Sequence, residues 1–301
     1  MIIRPLAAAL LVALSAQAQA NIDIQFDYTY DTSKFFGDDA SRKTVLESAA
    51  SVFENRLSDT LTAINSGGNN NFAPSYFDPA NTGSTLSNNS DSFAANVIRV
   101  YVGGSDLGSS TLGVGGPGGF NCSGAGSFCN TAIQRGQGDV TGTDAVDVAL
   151  WGGSLSFDSA GTSWHFGATT LGLDNNESDF YSVAVHELGH LLGFGTSASF
   201  SNHIVGGSFF GTAVGTVALN GTGHWANGVT GLYNGISQEA AMTASLTTGT
   251  RKYFTELDFA ALQDIGWQVT AVPEADTWAM LLAGLGVVGF AARRRQRQAS
   301  R

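Results

Sequence analysis

Residues 180–196 read Phe180-Tyr181-Ser182-Val183-Ala184-Val185-His186-Glu187-Leu188-Gly189-His190-Leu191-Leu192-Gly193-Phe194-Gly195-Thr196. Apolar residues recur around the histidines at helical spacing, and Ser178 or Asp179 can cap the start. Four apart on one helix, His186 and His190 share a face and can grip one metal ion. Neutral imidazoles at that spacing suit zinc (Zn2+). Glu187, beside the first histidine, is placed to take a proton from water rather than to bind the metal. Zinc lowers the pKa of the water it holds to about 7, and the usual chemistry of this set is hydrolysis of a peptide bond. Gly193 falls three residues after His190, where the chain must turn out of the helix.

A catalytic zinc takes three protein ligands. Five histidines are present, so His165, His203 and His224 are candidates for the third position, with the carboxylates of Glu239 and Glu256 as the alternative chemistry. The run through Gly193 resembles the metzincin metalloproteases, whose longer motif is H-E-x-x-H-x-x-G-x-x-H. This chain has Thr196 at the last position. It resembles the leishmanolysin-type metzincins, which keep the glycine turn, delay the third histidine by an insertion and follow it with tryptophan, as in Gly221-Thr222-Gly223-His224-Trp225. That resemblance implies His224 as the third ligand, ahead of His203. It also implies a methionine turn beneath the metal. Of three methionines, Met1 begins the chain and Met280 lies in the C-terminal apolar run, which leaves Met242.

The implied fold is α+β and metzincin-like: a twisted mixed sheet, an active-site helix, and a C-terminal helix after the methionine turn. Residues 255–267 suit that last helix, with Phe259, Leu262 and Ile265 or Trp267 as an apolar stripe and Gly266 as a stop.

Both ends of the chain read as export signals. Residues 1–20 have the form of a secretory signal peptide: Arg4, an apolar stretch from Leu6 to Leu14, and Ala18-Gln19-Ala20 for cleavage. Residues 272–301 open on Val272-Pro273-Glu274-Ala275, run apolar from Trp278 to Ala292 and end on Arg293-Arg294-Arg295-Gln296-Arg297. A short apolar helix with a basic flank is a membrane stop signal. Its order of parts resembles the PEP-CTERM sorting signal, with Pro-Glu-Ala in place of Pro-Glu-Pro. That implies an exosortase and the secretion machinery as partners, transient contact with the membrane through residues 278–292, and delivery to the surface of, or outside, a Gram-negative cell. The bland reading of this tail is a permanent anchor.

The net charge of −11 becomes more acidic when both ends are removed, because Arg4, Arg293, Arg294, Arg295, Arg297 and Arg301 leave with only Glu274 and Asp276. Such a surface is a poor partner for nucleic acid or anionic lipid. It suits an extracellular protein whose carboxylates could bind calcium; Asp158, Asp174 and Asp179 are candidates, with solvated turn carboxylates as the plainer reading. Cys122 and Cys129 are close in a Gly-rich stretch and are expected to pair after export.

Between the ends, residues 21–271 read as one catalytic domain. Residues 22–30 alternate as a strand. Ser41–Leu57 reads as an amphipathic helix with Val45, Ala49, Val52, Phe53 and Leu57 on one side. Residues 66–92 are expected to be a long Asn/Gly/Ser loop, 95–102 a strand, and 103–138 irregular and stapled by the disulfide. Leu155 and Phe157 alternate with serines in 151–159, which resembles the exposed edge strand above the metzincin cleft, able to pair with an extended substrate. The expectation is a secreted zinc endopeptidase acting on protein or peptide substrates, with Glu187 as general base. The alternative is a non-catalytic surface or matrix protein whose structural zinc takes a fourth protein ligand, for which His203 is the candidate.

Overall fold

The computed structural model describes residues 22–271 apart from 38 and 109, together with Gly284 and Gly289. The expected signal peptide and sorting segment lie, but for those two glycines, outside the described residues.

Strand β1 (Asp23–Asp27) is shorter than the alternation over 22–30 predicts. It ends where the chain bends and the carboxylate of Asp31 collects the amides of Phe35 and Phe36. Helix α1 (Ala40–Glu54) begins where the Asp39 side chain accepts from the Ser41 amide. Val45, Leu46, Ala49, Ala50 and Phe53 form its buried stripe; Leu57 lies beyond the helix but is also buried.

Residues 66–92 are not a long loop. They hold an antiparallel hairpin, β2 (Asn71–Asp78) and β3 (Asn81–Ser87). Phe72, Pro74 and Tyr76 turn inward at every second position of β2. A polar composition hid a period of two.

β4 (Val97–Ser105) runs on through two glycines. Residues 103–138 are not irregular either, since they contain β5 (Gly113–Pro117), β6 (Gly119–Ser123) and α2 (Phe128–Gln134), with Cys122 and Cys129 joined as expected. Strand β7 (Gly152–Asp158) follows.

The main sheet has the order β1-β4-β7-β5; the first three strands are parallel and β5 is antiparallel on β7. Strand β7 is therefore interior, and all its residues are buried. The expectation that 151–159 forms the edge is wrong; the edges are β1 and β5, and β5 is the one beside β7. Its glycines have a steric reason: a Cβ on Gly115 would lie 2.4 Å from the Glu187 carbonyl oxygen. Only a bare backbone fits between β7 and the helix behind it.

That helix follows the short parallel pair β8 (Trp164–His165) and β9 (Ser178–Asp179). Helix α3 (Phe180–Leu191) starts on Asp179, whose carboxylate accepts from the Ser182 amide, and every residue but His186 is buried. A helix buried on nearly every side belongs at the centre of a core. It packs against α1, β5 and β7.

An insertion follows: α4 (Ala198–Asn202), β10 (Ile204–Val205), β11 (Ser208–Gly211), β12 (Gly215–Asn220) and β13 (His224–Trp225), whose strands form an antiparallel sheet in that order. The hairpin β14 (Thr230–Tyr233) and β15 (Ile236–Glu239) leads to α5 (Glu256–Asp264). Phe259, Leu262, Ile265 and Trp267 are buried as their spacing predicts, and Gly266 leaves the helix at φ 124°. The whole is a mixed α+β fold, mostly β, in several sheets. Among the described residues no helix is long and apolar enough to cross a membrane.

Candidate metal centre

One turn of α3 sets the Nε2 atoms of His186 and His190 3.1 Å apart, and the Nε2 of His224 lies 3.0 Å from that of His190. All three donor atoms lie within 4.8 Å of one another. The opposite nitrogens decide what these atoms can do. Nδ1 of His186 meets the Ala241 carbonyl at 2.7 Å, and Nδ1 of His190 meets the Phe194 carbonyl at 2.8 Å. A carbonyl only accepts, so each Nδ1 carries the proton and each Nε2 presents a lone pair. Lone pairs facing one another at this range repel unless a cation takes them both.

Burial holds His186 well below the ordinary histidine range, pushes His190 down to about 4 and lowers His224 as well. The donors are thus neutral at pH 7, as a metal requires. Burial moves Glu187 the other way, to about 8, against the pull of the Gly115 backbone amide.

The third histidine arrives by a route built from glycines. Gly193 (φ 106°) and Gly195 (φ 72°) take the chain out of α3 in conformations that side chains disfavour. A Cβ on Gly195 would lie 2.5 Å from the Gly223 Cα, so the returning segment rests directly on this turn. Thr196, at the position where the longer motif has histidine, donates its hydroxyl to the His190 carbonyl at 2.6 Å and closes the helix end. Pairing of Asn220 with His224 and of Leu219 with Trp225 fixes the last step.

Met242 is fully buried against α3, where a Cβ on Gly189 would lie 2.5 Å from its Sδ. The remaining candidates are elsewhere. His203 Nδ1 donates to the Phe210 carbonyl at 2.6 Å and its ring stacks on Phe209. His165 meets the Thr169 carbonyl at 2.8 Å. Glu239 pairs with Lys252 at 2.9 Å and Glu256 with Arg56 at 2.9 Å.

Asp158, Asp174 and Asp179 do not come together, and among the described residues the three histidines form the one group able to hold a metal. Nor are Asp158 and Asp179 solvated turn carboxylates. Both are buried: Asp158 accepts from the Leu107 amide, and Asp179 pairs with Arg251 at 2.6 Å.

The centre opens into a cleft of about 610 Å³, with Ser110–Gly115 on one rim, Thr243–Leu246 on the other and Glu187 between. Sequence reading missed Arg251 and Lys252. Arg251 locks the start of α3 through Asp179, and Lys252, part of the cleft lining, bonds Thr243 at 2.6 Å and Glu239. No motif marks either.

Residues 271–295 match the PEP-CTERM protein-sorting motif. The chain thus carries at its C-terminus a signal for export and cell-surface sorting in Gram-negative bacteria, which implies recognition by an exosortase. Comparison with curated proteins and with solved structures gives no match.

Proposed function

We propose that this chain is an exported zinc-dependent endopeptidase with a metzincin-like catalytic domain. The observation that carries the reading is the convergence of three histidine Nε2 atoms beside Glu187, in a cleft bordered by an open strand edge. The donor set fits zinc: tetrahedral ligands at about 2.0–2.1 Å lie about 3.3 Å apart, close to the 3.0 and 3.1 Å found here. The glycine exit at Gly193, the buried Met242 and the closing helix α5 support the metzincin likeness.

His186, His190 and His224 would hold the ion, which supplies Lewis acidity when bound. Strand β5 offers its outer amides and carbonyls to an extended peptide, binding that tolerates many sequences. A cation held by the histidines would draw the Glu187 pKa back down, and as a carboxylate Glu187 accepts the proton released as water oxygen bonds to the scissile carbonyl carbon. It returns that proton to the amide nitrogen as the C–N bond breaks.

Digestion of an unfolded protein by the purified chain tests this, with Glu187→Ala alongside. Wild type should cleave, stop on chelation and resume with zinc, while the variant falls by about 10²–10⁴-fold. Zinc bound, fold intact and no cleavage by either protein would discard the protease reading in favour of a structural metal.

A further inference from the structure

One carboxylate touches both the strand that carries His224 and the turn whose carbonyl orients His186. Asp258, in α5, is fully buried. Its Oδ2 accepts from the Thr255 amide at 2.8 Å and the Thr255 hydroxyl at 2.7 Å, which is the cap of its own helix. Capping needs no more than this. Yet Oδ2 also takes the Ala241 amide at 3.0 Å, and Oδ1 takes the Trp225 indole N–H at 2.9 Å and the Met242 amide at 3.3 Å. Trp225 follows His224 directly in β13. Ala241 is the residue whose carbonyl accepts from His186. The Trp225 amide in turn donates to the Met242 carbonyl at 2.9 Å.

We propose that Asp258 is a positioning residue of the metal centre, a brace that fixes the His224 strand against the turn that orients His186. The assignment rests on the reading of the three histidines as metal ligands. Only donors converge on this side chain, and a carboxylate is the acceptor-only group with enough lone pairs to meet them. An asparagine would turn its own N–H groups against one set. Groups that orient ligands from behind change metal affinity by about 10–100-fold when lost.

The test is zinc affinity of the full-length protein by chelator competition, with melting of each metal-free form. Trp225→Phe removes one donor and leaves the carboxylate in place; it should weaken zinc by about tenfold, and Asp258→Asn by about 100-fold. Phe209→Leu thins the core against Trp225 (ring centroids 5.8 Å apart) without touching the bond, and should stay within about twofold of wild type. Wild-type affinity in folded Trp225→Phe or Asp258→Asn overturns the brace, as does an equal loss in Phe209→Leu, which would make the effect one of packing. If Asp258→Asn does not fold, Trp225→Phe decides. A wild type that takes up no zinc, or a His224→Ala variant that binds it as tightly as wild type, overturns the ligand reading itself.

Discussion

His186 and His190 reach the centre along a single turn of α3, whereas His224 arrives 34 residues beyond His190, through α4 and four short strands. The first two need only the helical period and a helix locked in the core. The third depends on two backbones in contact at Gly195 and Gly223, on two residue pairs between β12 and β13 and on the support behind Trp225. One mode of delivery is local and comes with folding of the core. The other is assembled from contacts distant in sequence, near the surface. The two modes should therefore fail differently.

The largest effect separates metal binding from folding. His224→Ala should weaken zinc beyond the roughly 10–100-fold cost of an outer contact, while the metal-free protein melts within about 1–2 °C of wild type, as for a substitution outside the core. His190→Ala, in the buried helix, should lose both metal and stability. Chelator competition and calorimetry read the two quantities. If His224→Ala kept its zinc while His203→Ala lost it, the two modes of delivery would have been assigned to the wrong residues.

Next in size is the rim. Gly115→Ala places a Cβ against the Glu187 carbonyl oxygen, so β5 must leave α3. Overpacking of this kind costs about 1–3 kcal/mol. Peptide hydrolysis should fall far more than zinc affinity, because β5 presses on Glu187 and Val183 and carries none of the histidines. Gly116→Ala, with nothing within 4 Å of the added carbon, is the matched control and should keep its activity. Equal loss in both variants would show that the added side chain acts through the stiffness of the β5 backbone and not through its contact with α3.

Which parts were legible follows from the same contrast. Helices α1 and α3 announce themselves because their apolar stripes are local in sequence. The strand that borders the cleft does not: Gly113-Val114-Gly115-Gly116-Pro117 has no apolar period, and is defined by the side chains that α3 forbids it. Strand β7 misled in the opposite sense. Its serines predict an exposed face, yet Ser154 and Ser156 are buried, and the Ser156 hydroxyl donates to the Pro79 carbonyl at 2.7 Å. His224 was found by resemblance to a delayed motif, not by period. Spacing marks Asp258 only as the N3 residue of a capping box and marks Arg251 not at all; their contacts to Trp225 and Ala241, and to Asp179 and Gly167, come from segments distant in sequence.

The glycine turn offers a sharper cut. Gly195→Ala meets both a left-handed φ of 72° and the Gly223 backbone, whereas Gly215→Ala meets a φ of 78° in open space. Each pays about 1 kcal/mol or more for the backbone conformation. Only the first should also displace the segment that carries His224. Zinc affinity should fall in Gly195→Ala and hold in Gly215→Ala at comparable melting temperature. A fall in both would mean that the insertion is braced as a whole rather than at its contact with the turn.

The smallest effect lies away from the cleft, where the chain after α1 meets the chain after α5. Asp59 is fully buried, with Oδ2 accepting from the Gln268 amide at 2.9 Å and Oδ1 without a partner. Burial raises its pKa from the ordinary aspartate range to about 6, against that amide and with Asp147 adding to the rise. The folded state thus holds this proton more tightly than the unfolded chain does. Its contribution is most favourable below the unfolded value, falls as pH climbs from about 4 to about 6, and is a constant penalty above that window. Asp59→Asn keeps an acceptor for Gln268 and removes the charge. It should raise the melting temperature at pH 8, by about 2–4 °C for each kcal/mol regained, and change it little at pH 4. Equal shifts at both values would mean that the gain comes from hydrogen bonding rather than from the relieved charge. Zinc affinity should stay the same at either pH, since Asp59 touches neither delivery route.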